Sequence, residues 1–167
     1  MALSTDAVYP ATIADIPALC RMKAKLLALE DALHVATASE NDWRRDAFGD
    51  SPKFTALVAK ANGANIGMAT YCRRGFPGWA GTSFFVYDLY VEEGFRGRGY
   101  ARALLARVAA DAKAENAAFI ELNVHKTNSA RKFYQHLDFS NVSQCMVYVA
   151  TLPAVQHLAA MDNQVAA

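Results

Sequence analysis

A glycine and arginine run in the middle of the chain has the residue types that bind phosphate. Arg96-Gly97-Arg98-Gly99 follows an apolar strand that ends at Val91, and helix-forming residues begin directly afterwards. The first N–H groups of a helix have no acceptor within it, and the helix dipole adds partial positive charge there. Glycines let the backbone approach a ligand closely, and the arginines add charge. The run therefore predicts a binding turn for a phosphate or pyrophosphate group.

The spacing of this run narrows the ligand class. Tyr100 and Ala101 follow Gly99, so the run lacks the third glycine of a dinucleotide turn and the Lys-Ser/Thr pair of a nucleotide-triphosphate loop. Arg96, Gly99 and Ala101 instead match Arg-x-x-Gly-x-Ala, which resembles the acyl-CoA pyrophosphate motif of the GCN5-related N-acetyltransferases, the GNAT superfamily. On these six residues alone, a plain glycine-rich loop before a surface helix is an equal alternative.

A second segment further along the chain resembles the other hallmark of that superfamily, Asn-x-x-Ala-x-x-Phe-Tyr followed by Leu-Gly-Phe. The matching positions are Ala130, Phe133, Tyr134, Leu137 and Phe139. Thr127 and Asp138 stand at the positions of the usual Asn and Gly, with Asn128 one place after the first. Two motifs in the right order extend the resemblance to the whole chain. It implies an α/β (α+β) fold with a central mixed, mostly antiparallel sheet, flanked by helices and splayed at the central strands.

The resemblance implies a set of cofactor-binding residues. They are Leu89, Tyr90, Val91, Arg96, Gly97, Arg98, Gly99, Tyr100, Ala101, Asn128 and Lys132. In this superfamily a backbone N–H of the central strand, here near 89–91, donates to the thioester oxygen as that oxygen gains charge. Acetyl-CoA is the expected co-substrate, and we expect no metal.

Two side chains are expected to move protons during direct transfer from thioester to amine. An amine is protonated near neutral pH, so a base must remove its proton, and the departing thiolate needs an acid. Tyr134 matches the acid of the superfamily, and packing against Phe133 is its alternative role. Asp88 is the best carboxylate for the base, since it lies in an apolar strand where an unpaired charge is costly. Accepting backbone N–H groups at a strand bulge is an equal alternative for Asp88.

The segments around the central strand are more closely similar to the spermidine/spermine (diamine and thialysine) acetyltransferase branch. That resemblance implies Glu30 and Trp79 as substrate-binding residues, although Trp79 also fits a simple loop anchor. Tyr87 is a further substrate-binding candidate, because Tyr87 and Tyr90 lie on either side of Asp88 and could line the acceptor site, with aromatic packing as the role of one of them. Tyr87 and Pro77 stand where the branch has carboxylates. We therefore expect an acceptor amine with one positive charge, or an amino-acid-like acceptor, to be preferred over spermine.

Composition is that of an ordinary globular protein. The chain has 167 residues, 53% of them hydrophobic and 20% charged, which predicts a single domain over 1–167 and excludes disorder. A net charge of +1 without a basic stripe argues against nucleic acid as a partner. No apolar stretch is long enough to span a membrane. The three scattered cysteines predict buried thiols in a reducing cytoplasm.

The predicted function is transfer of an acetyl group from acetyl-CoA to a primary amine of a small molecule. A CoA-binding regulatory or scaffold domain without catalysis is one alternative, and an acetyltransferase acting on protein amines is another. The resemblance also implies a homodimer, and the apolar run 145–149 supports it weakly.

The elements that must position these residues are strands and helices of ordinary length. Strands are predicted at 8–12, 54–61, 66–72, 83–91, 119–125 and 142–151, and helices at 16–33, 39–49, 99–115 and 129–137. Asn62-Gly63 predicts a hairpin turn. Asp15 is expected to cap the first helix. The apolar stripe of that helix comprises Ile16, Leu19, Cys20, Leu26, Leu27 and Leu29.

Overall fold

A largely buried central strand organises the fold, as the sequence predicts. The computed structural model describes residues 7–29, 38–75, 82–142 and 156. The strands are β1 (Val8–Pro10), β2 (Thr55–Ala61), β3 (Ala64–Gly75), β4 (Thr82–Val91) and β5 (Phe119–Leu122). The helices are α1 (Ile16–Leu29), α2 (Glu40–Phe48), α3 (Tyr100–Ala114) and α4 (Ala130–Gln135). Five sequence predictions lie outside the described residues: Glu30, Pro77, Trp79, the run 145–149 and all but the first residue of the strand at 142–151.

The five strands form one mixed sheet in the order β1-β2-β3-β4-β5, which confirms the predicted sheet type. The first four strands pair antiparallel, and β5 joins β4 in parallel. Asn62 and Gly63 form the hairpin turn between β2 and β3, with φ values of 50° and 77°. Positive φ at both positions gives the turn a twist that matches antiparallel strands, and Asn-Gly adopts it at little cost.

The two faces of the sheet carry different helices. Helices α1 and α2 cover one face in a core cluster of Ile16, Leu19, Met22, Trp43, Ala56, Val58, Met68 and Tyr90. On the other face Tyr71 of β3 donates to Asp111 of α3 at 2.5 Å. The predicted stripe of α1 is partly wrong, because Leu29 is exposed and Met22 is buried instead. Cys20 and Cys72 are free and only partly buried, so the prediction of buried thiols is wrong for these two.

The chain divides into two compact units, Met1–Asn123 and Val124–Ala167. The first contains the sheet with α1, α2 and α3, and the described part of the second contains α4. Helix α4 ends at Gln135, before the predicted end at 137, and Asp138 further on adopts φ 61°, the left-handed conformation that prevents a helix from continuing. The N–H of Phe139 then donates to the Tyr134 carbonyl at 3.1 Å. None of the described helices is both long and apolar enough to cross a membrane.

Asp15 has a different role from the predicted helix cap. It ends a short 3-10 turn, Ile13–Asp15, and its buried carboxylate accepts the N–H and the hydroxyl of Thr12 at 2.9 Å each. Lys60 of β2 and Asn65 of β3 donate to the same carboxylate at 3.1 and 2.9 Å. Burial alone would raise the pKa of Asp15, but the bonds from Asn65, Thr12 and Lys60 outweigh it and lower the pKa from 3.8 to about 2. One carboxylate thus joins the start of α1 to two strands.

Replacing this carboxylate should give a stability loss that depends on pH. Asp15→Asn should lower the free energy of unfolding at neutral pH by about 1.5–3 kcal/mol, because charge-assisted hydrogen bonds are lost. A carboxyl group with a lowered pKa stabilises the fold above its ordinary pKa, and this stabilisation disappears as the pH falls through the folded-state value. The difference between wild type and variant in urea titrations should therefore shrink between pH 3.8 and about 2. A constant difference across that range would contradict the assignment.

Candidate functional site

Strand β4 pairs with β5 along only its first half, which is the predicted splay of the sheet at its central strands. The parallel pairing runs from Ser83 opposite Phe119 to Val86 opposite Leu122. From position 87 to 91, β4 continues along β3, and no described strand pairs with its other edge. Backbone groups on such an edge can bind a ligand in place of a strand. The predicted residues 89–91 lie on this segment, which we call the open edge (residues 87–91 of β4).

A β-bulge lies at the start of the open edge. Thr70 is opposite Asp88 and Tyr71 is opposite Val86, so Tyr87 is an extra residue in β4. Bulges bend a strand and redirect its side chains. Here Asp88 contacts Thr70 and Tyr87 contacts Cys72, and Thr70 and Cys72 share one face of β3. Two consecutive side chains of β4 therefore project to the face that α1 covers.

Asp88 is buried at this bulge, with 6% of its surface exposed, and it is paired. Lys23 of α1 donates to Oδ1 at 2.5 Å, and the Thr70 hydroxyl donates to Oδ2 at 2.6 Å. The partners are side chains, whereas the sequence alternative for Asp88 expected backbone N–H groups at a bulge. A carboxylate accepts about four hydrogen bonds, so each oxygen keeps acceptor capacity.

Tyr87 is the accessible side chain of the bulge, with 51% of its surface exposed. Its hydroxyl lies 3.0 Å from the Cys72 Sγ, and its ring packs edge-on against Phe85 at 5.0 Å. The hydrogen bond with Cys72, together with burial, raises the pKa of Tyr87, although Arg74 opposes the shift. The Arg74 guanidinium stacks 3.6 Å above the Phe85 ring and pairs with Glu121 at 3.2 Å. Tyr87 is thus free to contact a substrate on a surface built from β3, β4 and β5.

Tyr90 differs from Tyr87 because its ring belongs to the core. It is 5% exposed and packs with the buried residues of α1 and α2. Its hydroxyl donates to Glu92 at 3.1 Å. Of the two tyrosines, only Tyr87 therefore offers its ring to a ligand, and Tyr90 can contribute backbone groups.

The glycine and arginine run forms an exposed turn at the start of α3. Gly97 and Gly99 have φ values of 73° and 90°, which favour glycine. Helix α3 begins at Tyr100, so its first N–H groups face the turn. The Arg96 Nε donates to the Val91 carbonyl at 3.1 Å and ties the turn to the end of β4. Since residues 96–99 are exposed and a Cβ at Gly97 would meet nothing within 4 Å, the turn has room for a pyrophosphate.

The second unit contains the remaining predicted site residues. The Asn128 side-chain oxygen accepts a hydrogen bond from the Ala130 N–H at 2.9 Å, at the start of α4. The side-chain NH₂ of Asn128 is then the group that could contact a ligand. The Tyr134 ring packs against Phe133 at 5.4 Å and Phe139 at 5.8 Å. Lys132 is exposed on the same helix. Within the described residues of both units, no group of three or more His, Cys, Asp or Glu side chains could hold a metal.

Comparison with known proteins decides the family. The sequence model of the Acetyltransferase (GNAT) family matches residues 24–139. The chain belongs to the GNAT family. That span includes α1 from its middle onward, the open edge, the turn and α4.

This GNAT chain is similar in sequence to two named acetyltransferases and in fold to a solved structure. Spermidine/spermine N(1)-acetyltransferase-like protein 1 of Homo sapiens is 30% identical over 101 residues, which cover 56% of this chain and 14% of that protein. Thialysine N-epsilon-acetyltransferase of Mus musculus is 28% identical over 115 residues, covering 64% of this chain and 67% of that protein. The chain therefore spans only a small part of the human relative. An integron cassette protein from the mobile metagenome of V. cholerae shares the fold, with a TM-score of 0.75 at 20% identity over 91% of this chain and 96% of that one.

The sequence reasoning missed four side chains around Asp88 and Tyr87. They are Lys23, Thr70, Cys72 and Arg74. A signal for Lys23 was present, because it lies four residues after Leu19 and four before Leu27, on the apolar stripe of the helix. A lysine at such a position needs a buried anionic partner or a route to solvent.

Proposed function

We propose that this GNAT protein transfers an acetyl group from acetyl-CoA to the primary amine of a small molecule. One observation carries the proposal: the open edge of β4 leads directly into the exposed glycine turn at the start of α3, and Arg96 joins the two. A ligand with a pyrophosphate at one end and a reactive carbonyl at the other fits that order of binding groups. The names of the human and mouse relatives support an amine as acceptor.

The test of this function is amine-dependent release of CoA thiol from acetyl-CoA by the purified chain. A panel of monoamines, diamines, amino acids and aminoglycosides should contain at least one acceptor that raises release above the rate with water alone. No increase with any acceptor, together with measurable CoA binding, would favour the non-catalytic CoA-binding alternative.

The residues that would hold acetyl-CoA divide into two groups. The N–H groups of Arg98, Gly99, Tyr100 and Ala101 would bind the pyrophosphate, because they open a helix. The backbone of residues 89–91 on the open edge would donate to the thioester oxygen. Acetyl-CoA supplies the acyl group when bound. Asn128 and Lys132 are proposed as additional contacts on the resemblance to the family.

A side chain at Gly99 should prevent pyrophosphate binding. Gly99→Val places a branched Cβ at a residue with φ 90°, which distorts the turn, and we expect CoA affinity to fall about tenfold or more in calorimetry. Gly63→Val is the matched control, since Gly63 has φ 77° in the β2–β3 hairpin and carries the same strain outside the site. Equal CoA affinity in both variants would refute the turn assignment.

Asp88 and Tyr134 are proposed to move the two protons. Asp88 would take the proton of the amine directly or through a water, because its oxygens keep acceptor capacity beside the accessible Tyr87. Tyr134 would protonate the departing thiolate. Its ring packs against Phe133 and Phe139.

Two conservative substitutions separate proton transfer from packing. Asp88→Asn and Tyr134→Phe should each lower kcat about 10²- to 10⁴-fold, the usual contribution of acid or base catalysis, while CoA affinity stays at the wild-type value. Steady-state kinetics on the best acceptor and calorimetry with CoA measure the two quantities. Wild-type kcat in Tyr134→Phe would mean that water protonates the thiolate and that Tyr134 only packs.

We also propose a homodimer, on the resemblance to the diamine acetyltransferase branch, and a cytoplasmic location, on the three scattered cysteines. Light scattering at micromolar concentration should give twice the 18.2 kDa of one chain. A mass of 18.2 kDa would refute the dimer.

A further inference from the structure

Both described carboxylates beside the bulge are already bound by cations of the chain itself. Asp88 pairs with Lys23 at 2.5 Å, and Glu121 pairs with Arg74 at 3.2 Å. The Lys23 side chain is 29% exposed and that of Asp88 8%, so this pair is largely withdrawn from solvent. Tyr87, the most exposed side chain of the bulge, is uncharged.

This arrangement determines what a cationic acceptor can gain here. A second ammonium group on a substrate is stabilised by a carboxylate that is free to receive it. The remaining acceptor capacity of Asp88 is proposed to receive the reacting amine, so Asp88 offers no free carboxylate to a second ammonium group. The bound ammonium of Lys23 also repels an approaching cation.

We propose that Lys23 is a specificity-determining residue, whose ammonium group, held beside the open edge by Asp88, repels acceptors with a second cationic centre. This inference rests on the proposed function, because it assumes that the acceptor amine approaches the open edge beside Tyr87 and Asp88. Lys23 acts on the choice between acceptors and takes no part in the transfer itself.

A pair of acceptors that differ only in the second charge tests the proposal. The acceptors are 1-aminobutane and 1,4-diaminobutane, and the measured quantity is the ratio of their kcat/KM values, diamine over monoamine. Wild type should prefer the monoamine. Lys23→Gln keeps a hydrogen-bond donor to Asp88 without the charge and should raise the ratio about tenfold, since the ammonium group that repels the second cationic centre is removed. Effects on the shared chemical step cancel in the ratio.

Two further variants serve as controls. Lys23→Arg retains the cation and should keep the wild-type ratio. Lys25→Gln removes a neighbouring lysine of α1 that pairs with Glu92 at 2.8 Å, and it should also leave the ratio unchanged. Thermal melting verifies that each variant is folded. A wild-type preference for the diamine overturns the proposal even where Lys23→Gln does not fold.

The outcomes distinguish this inference from the proposed function. If wild type acetylates 1-aminobutane and Lys23→Gln has the wild-type ratio, the role of Lys23 is wrong and the function stands. If neither protein releases CoA with any amine, the function is wrong. Calorimetry of 1,4-diaminobutane binding then decides the role of Lys23, and equal affinity of wild type and Lys23→Gln overturns it.

Discussion

The structure depends on one constraint, that β4 has a strand neighbour on both sides for only part of its length. The pairing with β5 stops at Val86 and Leu122, and the bulge at Tyr87 begins at the next residue. Beyond this point β3 is the only described strand that pairs with β4, and among the described residues the other edge of β4 is unpaired. The chain then runs through a short 3-10 turn into the glycine run and α3. Asp88 at the bulge and the glycine run before α3 therefore both follow a single interruption in the sheet.

At the bulge the charged Asp88 carboxylate is buried, and its ion pair with Lys23 adds little to the stability of the fold. Burying the Asp88 carboxylate against α1 removes it from water, which costs free energy. The hydrogen bonds from Lys23 and Thr70 only offset that cost. Buried ion pairs of this kind often contribute less than apolar residues of the same volume. Stability alone does not explain why the α1 stripe contains a lysine opposite an aspartate. The proposed roles of Asp88 and Lys23 toward the acceptor would account for this pair.

The sequence predicted those features that local patterns determine. The hairpin at Asn62-Gly63 and the glycine turn before α3 follow from φ preferences that each residue carries with it. A strand bulge at Asp88 was one of two equal alternatives, and local patterns could not decide between them, because a bulge is a property of the register between two strands. The partner of Lys23 is 65 residues away, so its position on the stripe shows only that it points inward. Asp15 was misplaced for the same reason, since Lys60 and Asn65 meet it only in the folded sheet.

Electrostatic recognition by this protein therefore depends on which charges remain free after folding. In the sequence, Asp88 is a carboxylate next to Tyr87, which stands where the related acetyltransferase branch has another carboxylate. From the sequence alone, Asp88 therefore counts as one remaining anionic group for a cationic substrate. The structure shows that Lys23 and Thr70 already bind that carboxylate, and that Arg74 binds Glu121 in the same way. Among the described residues around the bulge, the carboxylates of Asp88 and Glu121 are therefore each paired with a cation of the chain before any substrate binds. If the proposed function holds, the acceptor meets an uncharged Tyr87 at the bulge, because Asp88 and Glu121 are each paired with a cation of the chain.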